Sequence, residues 1–568
     1  MDDTLARQIA AKFASLGPAQ RRAVYAKMRE QGLDPTALPI LPAQGEPVLS
    51  HAQERLWFLW RLAPEDASYH LPGVLRLRGA LDEAGVRAAF DALAQRHEAL
   101  RTHFAMDALG MGRPVVEARA SIGLQVADLR AAGARAHDDA QALMAGWVAA
   151  PFDLLAGPLL RVGLIRVADD ETLLVTVMHH IVSDGWSMGL LLEDFTRAYE
   201  AWTHGEPLAE VTPPLRYADY AAWQRALLEA GERDRQEAYW RGALDVSQPR
   251  LSLAAGGGAG QAPYAAATLP LTLPAPLAAE LRREAQRRGT TVFVLLLAAF
   301  QALMARHGGQ DDLNVGIPVA GRGRGELQAM VGLFVNTQVL RAQLSPDMRW
   351  EDLLAQTRAG WLAAQAHQEL PFDQLVDALQ PARAAGETPL FQVLFNHQSL
   401  PARPDWRVAG LPCEAVALAA PTLPFTLQCD TLEYDDGGIR VLLRYASEAL
   451  GAPRMARLGQ GFLSLLQAMV AQPDARVYDA PLLDACEAAR LAGWERGAPL
   501  AAGADWAGEA VHVRIAAQAR ENPDRIALRV GDETLSYAEL DARANALAHE
   551  LVAEGAGPER VVAIIAHR

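Results

Sequence analysis

The stretch MHHIVSDGWS (178–187) sets two adjacent imidazoles, a carboxylate and a glycine close together. A neutral imidazole can take a proton from an attacking amine or alcohol, which makes His180 and His179 candidates for base catalysis. Asp184 is too near in sequence to act as a distant general acid. Its expected part is to turn inward, fix the loop through a hydrogen bond or an arginine, and so hold His180 in place. Gly185 has no side chain and leaves room for a substrate backbone or a tight turn.

The elements around these residues decide where they point. ETLLVTVMHH (171–180) alternates with period two, as a strand does. Successive strand side chains leave opposite faces, so His179 goes with Leu173, Val175 and Val177, and His180 with Leu174, Thr176 and Met178. The imidazoles should therefore point apart, one inward as a structural group and the other toward an open site. Downstream, Met188, Leu191, Leu192, Phe195, Tyr199 and Trp202 share one face of a helix. Asp184 or Ser187 can cap its first turn.

Other chemistries find less support. Neither a serine nucleophile on a GxSxG elbow nor a GxxxxGKS/T phosphate loop is expected. In RHEALRTH (96–103), His97 and His103 do not share the helix face that an HExxH zinc site needs. GRGRGE (321–326) is weak ground for a nucleotide site. No metal ligand and no cofactor-binding residue is assigned.

The 568 residues exceed one ordinary core, so several domains or lobes are expected. A composition of 51% hydrophobic and 21% charged residues is that of a globular chain, not a disordered one. The net charge of −15 disfavours nucleic acid as a partner, because a phosphate-binding surface needs clustered Lys and Arg. Cys413, Cys429 and Cys486 form no CxxC pair and no metal quartet. The acidic start MDDTLARQIAAKF is not a secretory signal, and no run reaches the roughly 18 apolar residues of a membrane helix. A cytoplasmic protein without a membrane partner is expected.

Along the chain, residues 1–43 read as helical, either a lead-in packed on the first lobe or a docking segment for another protein. Strand-like and helix-like runs then alternate to about residue 485, which makes the class α/β or α+β. TVFVLLLAAFQALMARH (291–307) reads as a buried helix, DLNVGIPVAG (312–321) as a strand entering a glycine-rich turn, and AAGGGAGQAP (254–263) as a surface loop. Residues 486–510 have linker composition. From Val511 an amphipathic helix, a short strand pair and a second helix follow.

The histidine stretch and several others, in order, resemble the condensation domains of nonribosomal peptide synthetases. They are SHAQERLWFL (50–59), RHEALRTHF (96–104), MHHIVSDGWS (178–187), YADYAAWQ (217–224), GLFVNTQVLR (332–341), HQELPFDQLV (367–376) and TPLFQVLFNHQ (388–398). The tail LSYAELDARANALA (535–548) resembles the first motif of an adenylation domain, without the later ones.

The resemblance implies two chloramphenicol-acetyltransferase-like lobes, residues 44–218 and 219–485, in a V-shaped pseudo-dimer with a central tunnel. A linker (486–510) and the start of an adenylation domain (511–568) would follow. It also implies upstream and downstream peptidyl carrier proteins as partners, bringing substrates on phosphopantetheine arms while the chain itself binds no cofactor. The adenylation domain of the same module would be a further partner, and residues 1–43 could meet an upstream synthetase. The activity implied is amide-bond formation, with an L-configured donor and an L-configured acceptor the best match.

On this resemblance His180 is the favoured catalytic residue, supported by His179, Asp184 and Gly185, with Trp186 and Ser187 completing the motif. The family's aspartate usually pairs with an arginine, for which Arg322 and Arg101 are the candidates. Gly321 stands where asparagine is usual, which could loosen Arg322, and Thr426 stands where aspartate is common. The alternatives are an acyl-CoA-dependent acyltransferase, a starter-type domain with a fatty acyl donor, and a non-catalytic scaffold that recruits partners.

Overall fold

The strand Glu171–His179 lies inside a six-stranded sheet and is covered on both faces: of its apolar residues, none is more than 4% exposed. In a computed structural model of the chain, residues 3–207, 215–253, 264–381, 388–400, 406–416, 418, 422–496 and 510–565 are described. The expected surface loop at 254–263 and most of the second half of the linker therefore lie outside the described residues. The chain divides into two units, Met1–Asp484 and Ala485–Arg568.

The first unit has two sheets. In the six-stranded one the order is Arg407–Val408, Leu411–Ala415, His70–Arg78, Glu171–His179, Leu160–Ala168 and Leu124–Asp128. Register shows which side chains share a face. Gly163 pairs with Val175 and lies under Trp147 of the helix Ala136–Ala149, so that helix covers the face of Val175, Val177 and His179. Gly73 pairs with Thr176 and lies under Met188 of the helix Gly185–Thr203, which covers the other face. The alternation read from sequence thus sorts the side chains between two buried layers instead of between core and water.

The seven-stranded sheet runs Thr422–Leu423, Tyr264–Thr272, Ile439–Ala446, Leu427–Tyr434, Val393–Leu400, Asp312–Val319 and Asn336–Gln343. Val393–Leu400 is parallel to both of its neighbours. Against this sheet packs the helix Val292–Gly308, buried without interruption from Val294 to Ala305. A helix apolar all round belongs in a core. With the preceding helix Ala275–Arg287 it makes a pair apolar enough for a membrane span but bent by 107°; among the described residues no single helix is long and apolar enough to cross a membrane.

The lobes are not contiguous in sequence. Leu411–Ala415 comes from the second lobe's stretch of chain, yet pairs antiparallel with His70–Arg78 at Leu75↔Ala415. The N-terminal helices Asp3–Ser15 and Pro18–Glu30 pack through Phe13, Tyr25 and Met28 against Leu227 and Ala230, not on the first lobe's sheet. Tyr25 donates to the wholly buried Glu232 at 2.5 Å. Arg235 closes the ion pair with Glu232.

The second unit is small: the helix Val511–Glu521, the hairpin Ile526–Val530 and Glu533–Ser536, and the helix Tyr537–Ala553. Ser536 and Glu539 form a reciprocal cap at the last helix. Within the stretch read as linker, Ala485–Glu495 is helical.

Candidate active site

The chain leaves its strand at His179, makes one 3-10 turn over His180–Val182, and enters the helix Gly185–Thr203. His179 is 3% exposed and lies edge-on to Phe152 and to His70, its register partner. Its Nδ1 accepts from the Ile181 N–H at 3.2 Å, which ties the turn back to the strand. Burial, with the neighbouring His70, His180 and Arg161, pulls its pKa down to about 3, so it is a neutral structural group.

His180 has a different setting. It is only partly buried, its own N–H donates to Tyr69 O at 2.8 Å, and its Nδ1 is closed off from solvent with no hydrogen-bond partner. Burial lowers its pKa below 6.5, against the opposing pull of Asp184. A neutral imidazole with one nitrogen shut in is left to act through the other.

Asp184 does turn inward. It is 2% exposed and caps the helix, accepting at Oδ1 from Ser187 N at 2.8 Å and Ser187 Oγ at 2.7 Å. The Phe334 N–H donates to Oδ2 at 3.1 Å. Arg322 Nη2 donates to both oxygens, at 3.1 and 3.2 Å. The guanidinium is itself held: Nη1 donates to Leu327 O and Met330 O, Nη2 to Ser187 Oγ, and the group stacks 4.2 Å from the Phe334 ring. The residues that orient the His180 turn thus come from the 322–334 segment of the other lobe.

Of the two arginines singled out in the sequence, Arg101 is not part of this arrangement. It donates to Glu117 O at 2.5 Å and lies 3.6 Å from Glu98, at the end of the short turn Glu98–Arg101. Nor does Gly321 loosen Arg322. Its φ is +64°, and a Cβ there would lie 2.2 Å from Phe334 O, so the glycine is what lets the two ends of the 321–334 segment close.

Gly185 is exposed, and an added Cβ would meet nothing within 4 Å. Its φ is outside the left-handed region, so the turn does not require glycine; open space in front of the helix is what it leaves. Trp186 is 49% exposed and donates from Nε1 to Gln328 O. Residues 185–189 do spell GxSxG, contrary to expectation. Ser187, however, is wholly buried in the first helical turn and bonded to Asp184, so no nucleophile elbow exists. His97 bonds to Asp194, and among the described residues no cluster of three His, Cys, Asp or Glu could hold a metal.

Three further residues complete the frame: Ser50, Gln53 and Tyr217. Gln53 Nε2 donates to Ile181 O at 3.1 Å, and Tyr217 Oη donates to Leu333 O at 2.5 Å. Ser50 and Gln53 sit in SHAQERLWFL, where both are buried, and the half-buried Tyr217 opens YADYAAWQ.

Comparison with known proteins agrees with this picture. The condensation domain family model matches residues 43–492, and the AMP-binding enzyme model matches residues 515–568. One of the linear gramicidin synthase proteins of Brevibacillus parabrevis is 38% identical over 92% of this chain, which spans 10% of that protein. Phosphinothricin tripeptide synthetase PhsC of Streptomyces viridochromogenes is 35% identical over 97% of this chain and 51% of its own length. Among solved structures, the X-domain from teicoplanin biosynthesis superposes with a TM-score of 0.68 at 26% identity, covering 78% of this chain and 100% of that one. The first condensation domain of the calcium-dependent antibiotic synthetase gives 0.66 at 22% identity, with the same coverage, and shares the fold.

Proposed function

The chain belongs to the condensation-domain family, and we propose that it joins a thioester-borne acyl or peptidyl donor to the amine of an aminoacyl thioester, with His180 taking the proton. The observation that carries this reading is the contrast at one loop. His180 is partly open, while His179, Asp184, Ser187 and Arg322 around it are at most 5% exposed. A rigid frame around one accessible base is what proton transfer at a fixed point needs.

The acceptor nitrogen attacks the thioester carbonyl carbon and forms the C–N bond. His180, neutral because burial lowers its pKa, accepts the proton from that nitrogen. The tetrahedral intermediate collapses with loss of the donor thiolate, and the proton on His180 returns to that sulfur. Holding two tethered reactants together is worth roughly 7–11 kcal/mol, and a general base adds about 10²–10⁴-fold. Placement therefore does most of the work.

On this reading the substrates ride on phosphopantetheine arms of an upstream and a downstream carrier protein and meet in a tunnel between the lobes 44–218 and 219–485. Residues 511–568 open an adenylation domain of the same module. A starter role with a fatty acyl donor differs only in what the upstream arm brings. A purely recruiting scaffold would have no use for the His180–Asp184–Arg322 frame.

The test is mass spectrometry of a loaded downstream carrier after incubation with a panel of peptidyl, aminoacyl and fatty acyl thioesters, on carriers and on coenzyme A. Amide on the downstream arm from carrier-bound donors supports the reading. Turnover of coenzyme A thioesters alone makes the chain a soluble acyltransferase, and no product from any donor favours the scaffold.

A further inference from the structure

We infer that Gln53 is a positioning residue for His180, acting by clamping the residue that follows it. Ile181 is gripped at both of its backbone polar groups. Its N–H is taken by His179 Nδ1 at 3.2 Å, and its C=O accepts from Gln53 Nε2 at 3.1 Å. His180 lies between the strand and this clamped residue: turning the peptide between them breaks the Ile181 N–H bond to His179, and moving the turn as a whole breaks the bond from Gln53. Gln53 is 3% exposed, which leaves water no room to replace a lost donor at low cost.

Gln53 is in turn fixed at its other end. Its Oε1 accepts from Ser50 N at 3.2 Å, and Ser50 Oγ accepts from Gln53 N at 3.2 Å, a reciprocal cap of the helix His51–Leu62. Ser50 Oγ also lies 2.8 Å from Tyr217 Oη. Tyr217 spends its own proton on Leu333 O, so Ser50 is the donor to it. Leu333 sits between Gly332, whose N–H donates to Ser187 Oγ, and Phe334, whose N–H donates to Asp184 Oδ2. The loop that carries His180 is therefore held at Ile181 by the first lobe and at Asp184 by the second. The route Gln53–Ser50–Tyr217–Leu333 joins the two grips. A shift of the lobes would reach His180 through Gln53 as well as through Asp184.

This inference rests on the base role proposed for His180, and the experiment separates the two. Gln53→Met keeps the length of the side chain and removes both hydrogen bonds. Gln53→Glu keeps the cap, because a carboxylate accepts from Ser50 N, but in its charged form it has nothing to donate to Ile181 O. In the full chain with the donor and acceptor found above, both variants should lower kcat about tenfold or more with KM nearly unchanged. The Gln53→Glu deficit should shrink as pH falls and the introduced carboxyl gains a proton. In a His180→Ala background neither change should slow the reaction further. A capping role alone predicts parent-like kcat for Gln53→Glu at every pH, and a loss that persists without His180 predicts a general structural effect; either result overturns the inference.

A second measurement does not need turnover. Diethyl pyrocarbonate modification of His180, mapped by peptide mass spectrometry, should change several-fold in Gln53→Met; an unchanged rate overturns the clamp. If the rate changes while the parent makes no amide, the clamp stands and the functional reading fails.

Discussion

Arg322 and Asp184 meet across 138 residues of sequence, one guanidinium nitrogen reaching both carboxylate oxygens where neither residue is more than 5% exposed. Breaking a buried pair strands the survivor without solvent, which typically costs about 3–5 kcal/mol. Arg322→Met should destabilise the first unit by that order and weaken amide formation along with it. Denaturant unfolding of the parent and variant checks the first part. A loss below about 1 kcal/mol would mean that the pair contributes little to holding the loop.

His180→Ala should slow product formation by roughly 10²–10⁴-fold and leave thermal stability close to that of the parent. The readout is the initial rate of amide formation by mass spectrometry beside a melting curve. A variant as fast as the parent removes His180 from the chemistry.

For His179 the expectation is reversed: His179→Ala should reduce stability first. Its folded pKa of about 3 is depressed from 6.5, so the unfolded chain binds a proton that the native one refuses. The stability it confers is complete above pH 6.5 and is lost as pH falls from there toward 3. The parent's melting temperature should therefore drop across that window more steeply than that of a His179→Asn variant. Parallel curves would contradict the assignment.

The pH dependence of the rate should report the substrate more than the enzyme. Burial lowers the His180 pKa below its ordinary 6.5, whereas an α-amino group titrates at about 7.7–8.0. The rate at limiting acceptor should fall below about pH 8 with the acceptor amine, in the parent and in His180→Ala alike. An acid limb that disappears with His180→Ala would assign it to the imidazole instead.

Gly321→Asn restores the residue usual in the family resemblance, yet here it should destabilise by about 1–3 kcal/mol. Asparagine tolerates a φ of +64° better than most residues, but its Cβ would still press on Phe334 O at 2.2 Å. Calorimetry that shows a gain would mean that the 321–334 segment closes differently.

Much of this architecture is legible in one dimension because it is local. The period-two run, read as reaching His180 and ending at His179 in the structure, the cap at Asp184 and the buried helix Val292–Gly308 each follow from residues within a turn or a strand of one another. Asp184 needed a positive partner for the same kind of reason, since a buried carboxylate without one is costly.

Distance in sequence erased the rest. Arg101 and Arg322 were both eligible as letters, and only the bonding of Gly332 to Ser187 and of Phe334 to Asp184 decided for Arg322. The return of Leu411–Ala415 to the first lobe's sheet left no trace in its own residues, because strand pairing depends on which edge is exposed. Residues 185–189 carry a serine-nucleophile pattern that burial cancels. By itself the sequence determined the chemical groups and the local turns that present them. The tertiary structure decided which groups meet, because hydrogen bonds and ion pairs act over a few ångströms and the chain crosses that distance only once it is folded.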